Sequence, residues 1–186
     1  MKKAIEIRLK KSVEIAKVLQ YEKVLDLGCG DMKLQRFLPN NVEYTGVDIN
    51  RGHIHQDLEE GIPSLIRQKK YDVIFINELI EHIENFRTLL IQCRDILSDN
   101  GRIIITTPSN FRILYGDFFK GIGEDREHIH CFRKTNMYNL AKKCNLKIID
   151  IKGTYIRFPP LLNRWISIPT NQTIYTEVIC YKLIKG

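Results

Sequence analysis

Two carboxylates and two glycines near the start of the chain have a spacing that suits ligand binding. Asp26 lies two residues before Gly28-Cys29-Gly30, and Asp48 lies 20 residues after Gly28. Glycines let the backbone turn sharply and let a ligand approach to van der Waals distance. A turn that grips a pyrophosphate needs a third glycine, and position 33 holds Lys33 instead. An acid just before the first glycine suits a ligand with a positive amine. The N-terminus of a following helix repels a cation, so the carboxylate must supply the attraction. Asp48 is spaced to accept two hydrogen bonds from ribose hydroxyls.

A second cluster is Glu78-Leu79-Ile80-Glu81-His82. A helical turn starting at Glu78 would place Glu78 and His82 on one face, with Glu81 beside them. Two carboxylates and an imidazole suit Mg²⁺, Mn²⁺ or Zn²⁺. Arg126-Glu127-His128-Ile129-His130 offers a fourth ligand, with His128 the first choice and His130 the second. The metal-ligand set read from the sequence is therefore Glu78, Glu81, His82 and His128. The alternative is that Glu81-His82 only caps its turn. His128 and His82 are also the candidate catalytic residues, as groups that draw a proton from an acceptor hydroxyl. His53 and His55 alternate on a short strand and read as solvent-facing. Cys29 reads as a small side chain filling space beside the glycine turn.

These residues need elements to position them. Spacings of three and four between Ile5, Leu9, Val13 and Ala16 predict an amphipathic helix over 2–19. Short apolar runs predict strands at 23–27, 43–48, 53–56, 71–76 and 102–107, the last entered through a turn at 98–101. Helices are expected at 31–38, 85–97 and 134–144, and further strands at 146–152 and 174–183. Alternating strands and helices with near-continuous apolar runs predict a mainly parallel sheet covered on both faces. Residues 108–130 and 154–172 read as long irregular segments and candidate lids, the first with Gly116, Gly121 and Gly123 as hinges.

Composition narrows the class. The 186 residues are 44% hydrophobic and 27% charged, the balance of an ordinary globular protein. One domain is expected over 1–186: an N-terminal helix in 1–21, a cofactor-binding half in 22–107, a lid in 108–130 and a substrate-side half in 131–186. No apolar run reaches the ~18 residues of a membrane span, so no membrane partner is expected. The N-terminus lacks a signal-peptide core. Five scattered cysteines with no CxxC pair argue against a disulfide framework and for a cytoplasmic setting. The net charge of +7 divides into +4 over 1–23, −5 over 24–101 and +8 over 102–186. The basic C-terminal part would attract an anionic substrate, nucleic acid included, or simply carry solvated lysines.

Val24–Gly30 resembles the first motif of the class I S-adenosylmethionine-dependent methyltransferases. Tyr44–Asp48 resembles their second motif, Gln56-Asp57-Leu58 their third, and Tyr71–Asn77 their fourth. The resemblance implies an α/β Rossmann-like fold: a mainly parallel seven-stranded sheet with an antiparallel last strand. A shortened third strand is expected, because only four residues separate Asp48 from His53. It also implies that Asp26, Gly28, Cys29, Gly30, Asp48, Ile49, Asp57, Leu58 and Asn77 surround S-adenosyl-L-methionine. The Glu-x-x-Glu-His run and the His-x-His pair resemble, in part, metal-dependent small-RNA 2′-O-methyltransferases and quinone-type O-methyltransferases. The expected function is methyl transfer to an oxygen or nitrogen of a small, anionic or neutral molecule. The alternatives are 2′-O-methylation of RNA 3′ ends and a non-catalytic cofactor-binding subunit that activates a partner.

Overall fold

The computed structural model describes residues 2–109, 130, 132–161, 164–173, 176 and 178–186. Strands β1 (Lys23–Leu27), β2 (Glu43–Asp48), β3 (Ile54–His55), β4 (Tyr71–Asn77), β5 (Leu97–Pro108), β6 (Leu146–Gly153) and β9 (Val178–Lys185) form one sheet in the order β3-β2-β1-β4-β5-β9-β6. The first five of these are mutually parallel. β9 runs antiparallel to both of its neighbours, β5 and β6. The expected topology is the observed one.

The buried runs of β1, β4 and β5 leave few residues for solvent, as a sheet covered on both faces requires. Successive side chains alternate between the faces. Ile74 and Ile76 join Ile103 and Ile105 beneath helices α3 (Phe86–Ile96) and α4 (Lys134–Lys143), and the short α2 (Ser64–Arg67) adds Ile66 to the same cluster. Val73 and Phe75 join Ile104 beneath α1 (Lys2–Ala16), which contributes Leu9, Ile15 and Ala16. Each large side chain so buried contributes roughly 1.5–3 kcal/mol. Among the described residues no helix is long and apolar enough to cross a membrane.

α1 stops at Ala16, short of the expected residue 19, because Lys17 turns left-handed at φ 53. The terminus is capped from the sheet. Arg102 donates to the carbonyls of Ala16 and Lys17 and forms a two-pronged ion pair with Glu22. Carbonyls at a helix C-terminus lack intrahelical partners and carry partial negative charge, so a buried guanidinium suits them.

Several expectations are corrected. The helix expected at 31–38 is a 3₁₀ turn over Lys33–Phe37, since Met32 is left-handed at φ 53 and Pro39 leaves no room to extend. Residues 98–101 are not a separate turn before β5. Leu97 pairs with Tyr71 and Arg102 with Val73, so they form a bulge within one strand. The segment 154–172 is not irregular: β7 (Tyr155–Leu161) and β8 (Arg164–Pro169) form an antiparallel pair outside the main sheet. Pro159 and Pro160 interrupt the alternation that would have announced it. The last described strand spans Val178–Lys185, two residues beyond the expected end at 183. Residues 110–129, most of the expected lid, lie outside the described residues.

Candidate functional site

The carboxyl ends of β1, β2 and β4 converge on a cleft of about 340 Å³. Parallel α/β sheets bind ligands at this end of their strands. Its floor is the turn after β1. Gly28 lies at φ 70 and donates its N–H to the Val47 carbonyl at 2.8 Å. A Cβ on Gly28 would meet Leu79 at 3.0 Å, so the turn accepts no larger residue without strain. Asp48 stitches this turn to β2: one carboxylate oxygen accepts from Gly30 N at 2.9 Å and the other from Asn50 N at 3.1 Å.

Asp26 is 3% exposed and reaches the cleft from within β1. Tyr44 donates its hydroxyl to Asp26 at 2.7 Å. Burial pushes the carboxyl up from 3.8 to about 7; the Tyr44 hydrogen bond opposes this and the charge of Asp48 adds to it. Asn77, at the end of β4, accepts from the Thr106 hydroxyl at 3.2 Å. Its buried Nδ2 has no hydrogen-bond partner among the described residues. A buried donor left open beside a cleft calls for an acceptor on a ligand.

Cys29 also lines the cleft, but its thiol packs inward. A Cβ on Gly46 would lie 2.8 Å from its sulfur, and one on Gly52 would lie 2.7 Å away. Burial, with Asp26 and Asp48 nearby, pushes the thiol up to about 12, so it is a filler and no nucleophile. Ile49 stands exposed next to Asp48. Asp57 accepts from Glu59 N and caps the turn Leu58–Glu60, while the Leu58 side chain is buried in the core. These three are not part of the cleft wall. His53 is exposed, and its Nδ1 accepts from Gly46 N at 3.2 Å, a structural contact that fixes the short link from β2 to β3.

The cleft has a roof that sequence patterning did not reveal. Ile5, Arg8 and Leu9 of α1 line it opposite the glycine turn. Arg8 Nη1 meets the carboxylate of Glu78 at 3.1 Å. The available signal was a cation set among the apolar positions of the helix.

The Glu78–His82 segment is not helical. Glu78 is left-handed at φ 50, turns follow, and α3 starts only at Phe86. The expected face shared by Glu78 and His82 is therefore absent, and Glu78 turns to Arg8. Glu81 is fully buried, and its carbonyl accepts from His130 N at 3.0 Å. The His130 ring packs edge-on against Phe86 at 4.8 Å. The histidine found beside Glu81 is thus His130, while His128 lies outside the described residues. Among the described residues no three His, Cys, Asp or Glu side chains are grouped to hold a metal ion.

The sheet order, with Asp26, the glycine turn, Asp48 and Asn77 gathered at its strand ends, is the arrangement that the resemblance to class I methyltransferases implies. The chain belongs to the methyltransferase-domain family, whose model matches residues 7–151. It is 25% identical over 164 residues to the ubiquinone biosynthesis O-methyltransferase of Rickettsia prowazekii, covering 76% of this chain and 64% of that protein. It thus spans just under two thirds of that relative's length. The fold matches a SAM-dependent methyltransferase from Archaeoglobus fulgidus at TM-score 0.70 and 16% identity, over 100% of this chain and 95% of that one. An S-adenosylmethionine-dependent methyltransferase from Clostridium acetobutylicum matches at TM-score 0.65 and 15% identity, over 100% and 92%.

Proposed function

We propose that this chain transfers a methyl group from S-adenosylmethionine to an oxygen of a small-molecule acceptor. The observation that carries the cofactor assignment is one cleft holding a buried acid, a second acid at the next strand end, and an unsatisfied amide donor. The O-methyltransferase name of the sequence relatives supports oxygen as the acceptor atom.

The residues fit the cofactor's groups by chemistry. Asp48 offers carboxylate oxygens to ribose hydroxyls, and Asp26 as a carboxylate attracts an ammonium group. Arg8 carries the charge that suits a carboxylate, and Asn77 Nδ2 can donate into the cleft. When bound, the cofactor supplies a methyl group already activated on a sulfonium centre. The protein's task is then alignment and exclusion of water, and such positioning accounts for much of a barrier reduction. Proton removal from an acceptor hydroxyl falls to a base, for which the candidates are His82, next to Glu81 in the turns after β4, and His130, whose N–H donates to the Glu81 carbonyl.

Calorimetric titration with S-adenosylhomocysteine tests the cleft. The expected result is saturable binding that weakens by about 1–3 kcal/mol in Asp48→Ala, the loss of a charge-assisted hydrogen bond. Unchanged affinity in that variant would remove Asp48 from the site. Methyl-labelled cofactor with a panel of hydroxylated and amine acceptors tests the second half. Label appearing only on nitrogen would overturn the oxygen assignment.

A further inference from the structure

Glu78 directly follows β4 and occupies a left-handed backbone state, φ 50, that side chains other than glycine's rarely adopt. Such states persist where surrounding contacts over-determine them, and they gather at functional sites. Contacts from two elements bear on this one. Glu78 N donates to the Thr106 carbonyl at 3.0 Å, and the carboxylate meets Arg8 at 3.1 Å. The two side chains are only 13% and 17% exposed, so solvent and salt screen the pair weakly.

Arg8 sits in the cleft wall, and its buried Nε has no hydrogen-bond partner among the described residues. A guanidinium presents its donors in a rigid planar fork, so fixing one edge fixes the direction of the other. Glu78 holds the Nη1 edge, and the Nε edge is left for an acceptor. The same ion pair ties α1, the roof, to the end of β4.

We infer that Glu78 is a positioning residue that aims Arg8 at the carboxylate of the cofactor and fastens α1 over the cleft. This rests on the cofactor reading given above. Glu78 acts through Arg8 and needs no contact with the cofactor itself. Its cost is the left-handed backbone, and its return is a guanidinium that does not have to be ordered when the cofactor arrives.

A double-mutant cycle read by S-adenosylhomocysteine affinity tests this on the full chain. Glu78→Gln keeps the shape and removes the charge. Glu78→Gly suits the left-handed backbone and keeps the experiment sound if the glutamine variant folds poorly. Either variant is expected to weaken binding about tenfold in the natural background, and less than about twofold once Arg8 is already Met, because coupled residues are non-additive. Equal losses in both backgrounds, or no loss from either variant while the natural chain binds, would overturn the role of Glu78 alone. A natural chain that does not bind S-adenosylhomocysteine would overturn the cleft assignment and this inference with it.

Discussion

Replacing Asp26 with Asn tests whether the buried acid is a stability cost that function retains. In the folded chain its carboxyl is raised from 3.8 to about 7, chiefly by burial. The folded state then holds the proton more tightly than the unfolded state. Stability contributed by this group is complete below the unfolded value and is lost as pH rises toward the folded one. Three units at about 1.4 kcal/mol each give a penalty on the order of 4 kcal/mol above pH 7. Asparagine cannot ionise and escapes it, but it weakens the Tyr44 hydrogen bond, a loss of about 1–2 kcal/mol. The variant is therefore expected to be more stable than the natural chain by about 2 kcal/mol at pH 8. At pH 5 it should match the natural chain or be slightly less stable. Urea unfolding followed by circular dichroism between pH 5 and 8 measures the difference, and groups common to both proteins cancel. A difference that stays flat with pH would refute the reasoning. The same variant should lose most of its cofactor affinity.

Cofactor binding should itself depend on pH. Asp26 must give up its proton to attract an ammonium group, so affinity is expected to fall as pH drops below about 7, with proton release measurable by calorimetry in buffers of different ionisation heat. Affinity that is level from pH 6 to 8 would argue against Asp26 facing the amine. Arg102→Met strands Glu22 and uncaps α1, with an expected loss of about 3–5 kcal/mol in denaturant unfolding, the usual result of orphaning one partner of a buried pair. Adding Glu22→Met should restore part of it. Cys29, raised to about 12 and packed inward, should resist iodoacetamide at pH 8 in the folded chain, and rapid alkylation there would contradict the packing.

What could be read from the sequence was whatever short-range pattern encodes. The apolar runs of β1, β4 and β5 announced buried parallel strands, and the glycines and acids marked the ends of β1 and β2. The cleft residues Asp26, Gly28, Gly30, Asp48 and Asn77 follow from those strand ends. Arg8 did not, because it reaches the cleft by packing α1 across the sheet, a contact no local periodicity contains. The reading of Glu78 and His82 as one helical face failed on a single left-handed residue, whose contacts with Thr106 of β5 and Arg8 of α1 are both distant in sequence. The hairpin of β7 and β8 was hidden by prolines, and its pairing only shows once the two strands lie side by side.

The space shared by Cys29 and Gly46 makes evolutionary history matter for the glycine turn. A methyl group at position 46 would collide with the sulfur at 2.8 Å and with the Cys29 Cβ at 3.2 Å. Gly46→Ala is thus closed to the chain as it stands. It opens once Cys29 has become Gly, since the volume removed at one position is what the other requires. The two positions form an epistatic pair: in a selection that starts from this sequence, variants should cross by way of position 29 first and almost never by way of position 46.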